Sequence, residues 1–455
     1  MSASRFLFVG ALLSFQTFLI SGEQIANPHA DINSLIFVHV VWRHGDRTPS
    51  ILIPSDTKNN ISTWAIGLGE LTTKGMAQQY LLGKYLRARY DGFLATTYSP
   101  FEVYFRSSDY NRTLASAQAN AAGLFSPTKK EMFTTDLKWR PIPIHTLPKH
   151  TDKILFDNVD CPTANAEEQR LYSSEEVKEI ERSNAGILRY LGEKSGFGKI
   201  PMALKDVWKV FDPLNSEFNH LEEHTFPDWV NESIRQEIWE IYNISCHYLY
   251  GSDLMTRLRA GPFFIEILNR MKNVVSGIND KREKLFAYSA HDTSVAGILS
   301  AFGVQPKIFP HYATLVLIEL HRDTDGQHFI KLFYKNETNG ADLWELNIPN
   351  CRAPCFLSLL EEVRRAVIPL NWAEECRLYN WYEFDVRSYY FIIGVLFVIC
   401  VTLFTEVAVL TVRLRRYRDA AAVNRRGDIE DSASQKFLLP TDEANYEEED
   451  EEDLS

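Results

Sequence analysis

Basic residues are in short supply in this sequence. Its 455 residues include 48 Lys and Arg against 60 Asp and Glu, so the formal net charge at pH 7 is -12. Residues 413–455 hold 7 Lys and Arg against 13 Asp and Glu, a net charge of -6 and half of the total. The remainder contains no basic patch of the size that nucleic-acid binding requires. We therefore predict no nucleic-acid partner.

Sequence features of nucleotide and metal sites are also missing. No glycine-rich phosphate loop of the GxxxxGK[ST] type occurs. Cys351 and Cys355 would form half of a zinc site, but no second pair follows them. The stretch from His220 to His224 fits the inverted zinc-protease pattern HxxEH, yet prolines on both sides disfavour the long helix that this chemistry needs. We predict no metal and no cofactor, and we interpret residues 220–224 as a solvated polar loop at a pocket mouth.

Cysteine is scarce, with six in the whole chain. Cys400 lies in a long apolar run, and the other five are Cys161, Cys246, Cys351, Cys355 and Cys376. An odd number of cysteines in an oxidising compartment leaves one thiol unpaired. The short spacing of Cys351 and Cys355 favours a small disulfide loop over a metal site.

Long apolar runs are limited to two, one near each end of the chain. Residues 6–20 follow Arg5 and precede two small residues, which is typical of a secretory signal, and we assign residues 1–22 to it. Residues 389–412 have the length of a membrane span, and four arginines follow at once. We predict a single-pass type I membrane protein of the cell surface or of the endosomal or lysosomal membrane. Its main domain would be lumenal or extracellular.

The glycosylation sequons and the C-terminal segment agree with that topology. Sequons on the exported side predict glycans at Asn60, Asn231, Asn243 and Asn336. A fifth, at Asn111, begins a predicted helix and is left out of this prediction. Residues 413–455 end in seven consecutive acidic residues, 447–453, and we predict a disordered acidic cytosolic tail.

The most informative stretch of the chain is residues 35–49. Residues 35–43 are mostly apolar and β-branched, the pattern of a strand buried on both faces. The sequence Arg-His-Gly-Asp-Arg-Thr-Pro follows at residues 43–49. Guanidinium groups match the geometry of phosphate oxygens, and a histidine between them resists protonation and stays nucleophilic in acid. This pattern predicts an anion site that contains a nucleophile.

Two later segments repeat this layout. Residues 102–105 predict a strand that ends at Arg106, before an alanine-rich helix that ends at residue 124. Residues 285–289 predict another strand, with His291 and Asp292 after it and a helix over residues 293–302. Open α/β sheets bind ligands at the carboxyl ends of their strands, so we expect the three charged clusters to converge.

The remaining patterns predict the architecture. Residues 151–280 read as mainly helical, and residues 314–320 and 328–334 as an antiparallel hairpin. We predict an α/β fold with a mainly parallel sheet flanked by helices, built from residues 23–150 and 281–385. Residues 151–280 would form an inserted smaller α-helical domain, and residues 389–412 one C-terminal transmembrane helix.

The converging residues can carry out phosphoryl transfer. His44 would attack phosphorus and become a covalent phosphohistidine, with its Nδ1–H donated to a backbone carbonyl so that Nε2 attacks. Asp292 would protonate the leaving oxygen and then accept a proton from water. The phosphate would be bound by Arg43, Arg47, Arg106 and His291. Because Asp292 must be protonated to act as an acid, we expect activity to fall towards neutral pH.

These residues also resemble a known family. Residues 43–49 match the RHGxRxP signature of the histidine acid phosphatases, and the stretches 105–109 and 291–292 are similar to that family's other two active-site segments. The likeness is to the prostatic and lysosomal types, with this chain as a membrane-anchored member. It implies an α/β domain with a helical second domain, no cofactor, Cys161–Cys376 and Cys351–Cys355 disulfides, and a possible homodimer.

The leading hypothesis is therefore an acid phosphatase that hydrolyses small phosphate monoesters outside the cytosol. One alternative is a phosphomutase or phosphotransferase of the same superfamily, which would return the phosphoryl group to an acceptor. Another is a membrane receptor that binds phosphate without turnover, although both His44 and Asp292 are present.

Overall fold

The computed structural model describes residues 22–25, 29–156, 158–280, 282–336, 343–377 and 386–435. The chain divides into two units, Met1–Leu378 and Tyr379–Ser455. Residues 1–21 of the predicted signal lie outside the described residues.

Eight strands are present in this part of the chain. They are β1 (Gly22–Ile25), β2 (Leu35–Arg43), β3 (Val103–Ser107), β4 (Leu285–Ala290), β5 (Leu315–Arg322), β6 (His328–Lys335), β7 (Leu343–Leu346) and β8 (Cys355–Phe356).

Thirteen α-helices accompany them. They are α1 (Thr73–Arg89), α2 (Asn111–Leu124), α3 (Pro162–Tyr172), α4 (Glu175–Ser183), α5 (Ala185–Ser195), α6 (Trp208–Phe218), α7 (Glu232–His247), α8 (Asp253–Arg259), α9 (Gly261–Ser276), α10 (Asp292–Ala301), α11 (Leu357–Val363), α12 (Trp372–Glu375) and α13 (Val386–Gln435).

The strands form one mixed sheet in the order β1-β7-β6-β5-β2-β4-β3, with β8 paired to β6. The α/β class with helices around a central sheet is confirmed, but the expectation of mainly parallel pairing is wrong. Only β2–β4 and β4–β3 are parallel among the described pairs, and the others are antiparallel. The reason is connection length, because parallel neighbours need long crossovers whereas β5 and β6 are joined by a tight turn.

Strand β2 is buried on both faces, as its composition predicts. Val38, Val40 and Trp42 pack with residues of α1 and α2 on one side of the sheet. Phe37 and Val41 pack with residues of α9 and α10 on the other side. Because side chains alternate along a strand, nine consecutive apolar or buried positions place β2 in the middle of the core. Its carboxyl end is thereby held rigidly.

The described residues between 151 and 280 contain helices α3 to α9 and no strand. They lie in the same unit, Met1–Leu378, as the sheet. Their folding as a separate inserted domain stays a prediction. Helix α6 also continues through Pro213, where the sequence favoured a break.

Both predicted disulfides are present. Cys161 and Cys376 are joined with a Cα–Cα distance of 4.6 Å, and Cys351 and Cys355 with one of 5.3 Å. Cys246 is the unpaired thiol of the first unit, and it is buried. Burial raises the pKa of the Cys246 thiol, so it is protonated and unreactive at neutral pH.

Helix α13 contains the one described segment, Ser388–Val423, that is long and apolar enough to cross a membrane. The helix does not end at residue 412 but continues to Gln435, so residues 413–435 are helical where we expected a disordered tail. Alanine, arginine and glutamate favour helix, and extending an existing helix requires no new nucleus. Residues 436–455 of the predicted tail lie outside the described residues.

Candidate active site

The nucleophile candidate His44 directly follows β2. Its backbone N–H donates to Ala290 O of β4 (2.9 Å), and its Nδ1 lies 2.8 Å from Gly45 O. A ring nitrogen at that distance from a carbonyl carries a proton, which leaves Nε2 with the lone pair. The side chain is 2% exposed. His44 is therefore held in the tautomer that nucleophilic attack through Nε2 requires.

Gly45 allows helix α1 to pack directly against this loop. A Cβ atom at Gly45 would lie 2.3 Å from Gly75 O, and one at Gly75 would lie 2.1 Å from Asp46 O. Both distances are far below van der Waals contact. Glycine is required at both positions because two backbones touch there, and this contact fixes the position of the loop that carries His44.

The second histidine and the carboxylate candidate follow β4. His291 precedes α10, its Nε2 lies 2.9 Å from Ser108 Oγ, and its ring centroid is 5.6 Å from that of His44. Asp292 Oδ2 accepts an ion-paired hydrogen bond from Arg43 Nη2 at 2.7 Å. The parallel strands β2 and β4 end side by side, so the two clusters converge as predicted.

One cavity of about 400 Å³ brings most of the predicted residues together. It is lined by Arg43, His44, Arg47, His291 and Asp292. Arg47 Nη2 also pairs with Asp212 Oδ1 of α6 at 2.5 Å. Burial opposes the charge of Arg47, but Asp212 outweighs burial and raises the pKa of Arg47, so its guanidinium stays charged.

The structure does not bring Arg106 into this cavity. Its Nη2 donates to Asp152 Oδ1 at 2.6 Å, and Asp152 also accepts from the backbone N–H groups of Ile154 and Leu155. Arg106 lies within β3, on the same side of the strand as Tyr104, whose ring stacks on that of His145. The assignment of Arg106 to the phosphate site is corrected here: Arg106 is a structural partner of Asp152.

Arg112 lines the cavity instead, and the sequence analysis missed it. It lies in the first turn of α2, with its Cζ 4.3 Å from the ring centroid of Tyr110. Among the described residues it forms no ion pair with a carboxylate. Burial and then the charge of Arg47 lower the pKa of Arg112 to about 10. A guanidinium held beside another without a counterion gains stability when an anion binds between them.

A signal for Arg112 was present in the sequence. Arg112 directly follows Asn111, at which a helix was predicted to begin. The N–H groups in the first turn of a helix favour anions, so an arginine there was a candidate.

The cations around the two histidines keep them neutral. Burial, and then Arg112 and Arg43, lower the pKa of His44 well below its ordinary value of 6.5. Burial, and then Arg112 and Arg47, lower the pKa of His291 in the same way. A neutral His44 in acid is the state that can act as a nucleophile.

The HxxEH stretch is only in part the solvated loop that we expected, because residues 221–223 are exposed but the two histidines are not. His220 and His224 are both buried, and neither lines the cavities beside the site. His220 Nε2 lies 2.5 Å from Asp46 Oδ2, and His224 stacks on Trp64 with ring centroids 3.7 Å apart. Through these contacts both rings attach residues 220–224 to the loop that follows β2. The two histidines are buried because their partners lie in that loop.

Comparison with known proteins identifies the family. The model of the histidine phosphatase superfamily (branch 2) matches residues 34–335. A putative acid phosphatase 5 of Caenorhabditis elegans is 40% identical over 382 residues, covering 83% of this chain and 87% of the relative. The chain belongs to the histidine phosphatase superfamily, branch 2. The predicted enzyme class, acid phosphatase, is confirmed by this membership and by relatives of the same kind.

Other members of the superfamily are similar to this chain over most of its length. Human prostatic acid phosphatase is 37% identical over 354 residues, which covers 77% of this chain and 89% of the relative. Human lysosomal acid phosphatase is 32% identical over 364 residues, covering 79% and 84%. The Hafnia alvei phytase in complex with tartrate has a TM-score of 0.58 at 16% identity, over 75% of this chain and 98% of the phytase. This last likeness concerns the fold alone.

Mutation can distinguish the role of Arg112 from that of Arg106. In an Arg112→Ala variant we expect kcat/KM for phosphate esters to fall by about 10²–10³, because a buried donor to the phosphoryl oxygens is lost. In an Arg106→Ala variant we expect a much smaller loss of activity. Its free energy of unfolding should fall by about 3 kcal/mol, because Asp152 is left buried without its partner.

Steady-state kinetics and urea denaturation of both variants test this assignment. A larger loss of kcat/KM in Arg106→Ala than in Arg112→Ala would restore Arg106 to the phosphate site.

Proposed function

We propose that this protein hydrolyses small phosphate monoesters outside the cytosol through a phosphohistidine intermediate on His44. The observation that carries the proposal is the position of the His44 ring, whose Nδ1 lies against Gly45 O and which shares one cavity with three guanidinium groups and His291. Arg43, Arg47 and Arg112 would bind the nonbridging oxygens and spread the charge of the transition state. No cofactor takes part in this scheme.

The reaction then follows in two steps. His44 Nε2 attacks phosphorus in line, the nitrogen–phosphorus bond forms, the ester oxygen–phosphorus bond breaks, and Asp292 gives its proton to the departing alkoxide. Asp292 next takes a proton from water, whose oxygen attacks phosphorus and displaces His44. Phosphate leaves, and both residues return to their starting states. The 2.7 Å pair with Arg43 holds Asp292 at the edge of the cavity, where the ester oxygen would lie.

The pKa shift of His44 predicts how the rate depends on pH. Since the pKa of His44 is lowered, the neutral nucleophile persists as the pH falls through 6.5. For an aryl phosphate, whose leaving group needs little protonation, we expect kcat to change less than about twofold between pH 6.5 and 5. In Arg112→Ala one cause of the lowered pKa is gone, so the acid limb should move to higher pH.

Profiles of kcat against pH for the natural protein and this variant provide the check. A loss of activity that follows a single protonation with its midpoint at pH 6.5 in the natural protein would contradict the proposed state of His44.

Location and assembly form part of the same proposal. Relatives named lysosomal acid phosphatase and the apolar helix α13 support a membrane-anchored enzyme with its catalytic unit in the lumen. We further propose type I orientation, at the cell surface or in endosomal or lysosomal membranes, and a homodimer. Asn60 and Asn231 are exposed, as glycan carriers must be, whereas Asn243 and Asn336 are half-buried beside the site.

A phosphate-release assay at pH about 5 separates the proposal from its alternatives. A hydrolase releases one inorganic phosphate for each alcohol that it forms. A mutase or transferase would move the phosphoryl group to an added acceptor without releasing phosphate, and a receptor would bind phosphate and form no product. Either of the last two results would overturn the proposed hydrolysis.

A further inference from the structure

A second cavity adjoins the phosphate site, and the proposed reaction makes no use of it. Its volume is about 470 Å³, within the range of small-molecule pockets, roughly 300–1,000 Å³. Five residues line both cavities: Arg43, Phe211, Asn215, Tyr242 and Phe309. The two cavities therefore lie side by side, with Arg43 in the walls of both. The second cavity is close enough to receive the alcohol portion of a phosphate ester bound at His44.

The wall of the second cavity is aromatic and held in place by its own contacts. The rings of Phe211 and Tyr242 are stacked, with centroids 3.5 Å apart and an interplanar angle of 8°. Trp239 meets Phe211 edge-on at 4.8 Å, and Phe218 lies 6.0 Å from Trp239. Rings that already support one another lose little freedom when a ligand ring binds against them.

Uncharged amides are the most numerous polar groups in the lining of this cavity. They belong to Gln78, Asn215, Asn219, Asn243 and Asn336. Two of these amides are fixed by the backbone, since Asn243 Oδ1 accepts from Phe309 N and Asn336 Oδ1 accepts from His311 N.

Charged groups are few in the same lining. No carboxylate occurs among the residues that the structure places there, and Lys74 is the one ammonium group, with Arg43 the one guanidinium. Lys74 Nζ already donates to Asn219 O. An alcohol that carries several further phosphates would find too little positive charge here, whereas a neutral ring would find aromatic faces and amides.

We propose that this cavity is a leaving-group subsite that binds the aromatic ring of a neutral alcohol. Trp239, Phe211 and Tyr242 form the face against which the ring packs. The enzyme accordingly selects monophosphate esters of ring-bearing neutral alcohols over esters of small aliphatic or polyphosphorylated alcohols. This selection rests on the proposed phosphatase function, which supplies the phosphate anchor at His44.

The test compares two substrates with equivalent chemistry at phosphorus, ethyl phosphate and 2-(2-naphthyl)ethyl phosphate. Both release primary alkoxides, so a difference in kcat/KM reports binding of the ring. The full-length protein is produced in the presence of an inhibitor of N-glycosylation and measured in detergent, because Asn243 and Asn336 line the cavity and must carry intact, unmodified amides. We expect a preference of about tenfold or more for the naphthyl ester, expressed mainly in KM.

Variants of Trp239 locate the effect. This side chain is half-buried, so its removal is compatible with folding. Trp239→Ala should reduce the preference about five- to tenfold, and Trp239→Phe, which keeps a ring, should retain most of it. Phe133→Ala removes a ring that is 64% exposed and lines neither cavity, and it should leave both rates unchanged.

Three results would overturn the subsite. They are equal kcat/KM for the two esters in the natural protein, an equal loss on both esters in Trp239→Ala, and faster hydrolysis of myo-inositol hexakisphosphate than of the naphthyl ester. Failure of the proposed function looks different, because then neither ester releases phosphate at all.

Discussion

Replacement of His44 by alanine is expected to lower kcat for phosphate release by on the order of 10⁴-fold or more. The imidazole is the only group that we place in line with phosphorus, and nothing in the surrounding arginines can form the covalent intermediate. Substrate binding should survive, because Arg43, Arg47 and Arg112 still line the cavity. The natural protein mixed with radiolabelled substrate and quenched in alkali should retain a label that acid removes, as a phosphorus–nitrogen bond requires. His44→Ala should retain none.

A matched control is His328→Ala. His328 lies on β6, outside both cavities, and its loss should change neither kcat nor the label. If His44→Ala kept its labelled intermediate, or turned over at a rate close to that of the control, the nucleophile would have to be another residue.

Replacement of Asp292 by asparagine should produce the second largest effect. An amide cannot give up a proton to an alkoxide, so kcat/KM for an alkyl phosphate is expected to fall by about 10²–10⁴. The loss should be much smaller for 4-nitrophenyl phosphate, whose leaving group needs no proton. Because Asp292 also activates the water of the second step, the phosphohistidine should accumulate in this variant and appear as a burst of nitrophenol. Asparagine Oδ1 can still accept from Arg43, which keeps the geometry of the pair.

Asp325→Asn, in the exposed turn between β5 and β6, controls for loss of a carboxylate. It should show neither the leaving-group dependence nor the burst. An equal loss for alkyl and nitrophenyl esters in Asp292→Asn would mean that Asp292 acts by holding Arg43 and not as the proton donor.

The segments around the site show how far sequence patterns reach. The predicted strands at residues 35–43 and 285–289 match β2 and β4 within a few residues. The predicted helices that end at residue 124 and span residues 293–302 match α2 and α10 equally well. Their apolar runs are local signals, which depend only on neighbouring residues. The short connection between β5 and β6 predicts their antiparallel pairing, and that hairpin is present. The direction of the other pairs was misjudged because it depends on which distant strands meet.

The prediction for residues 413–435 was wrong, and that for residues 220–224 was right only in part, for a related reason. A polar stretch was read as solvated, but His220 and His224 found buried partners far away in the chain, at Asp46, Asn59 and Trp64. A charged stretch was read as disordered, but it extends the preceding helix. In both cases residues outside the stretch determined the structure that it adopts.

The sequence by itself determined the superfamily of this protein, through an apolar strand that ends in the RHGxRxP signature and a His-Asp pair after another strand. Each feature directly follows its own strand, so the parallel strands β2 and β4 bring both to one edge of the sheet. Only the tertiary structure decided which third arginine lines the cavity of the candidate site. Arg106 and Arg112 are six positions apart, and strand alternation turns the first towards Asp152 while the first turn of α2 aims the second into the cavity. The aromatic wall formed by Trp239, Phe211 and Tyr242 likewise exists only because α6 packs against α7.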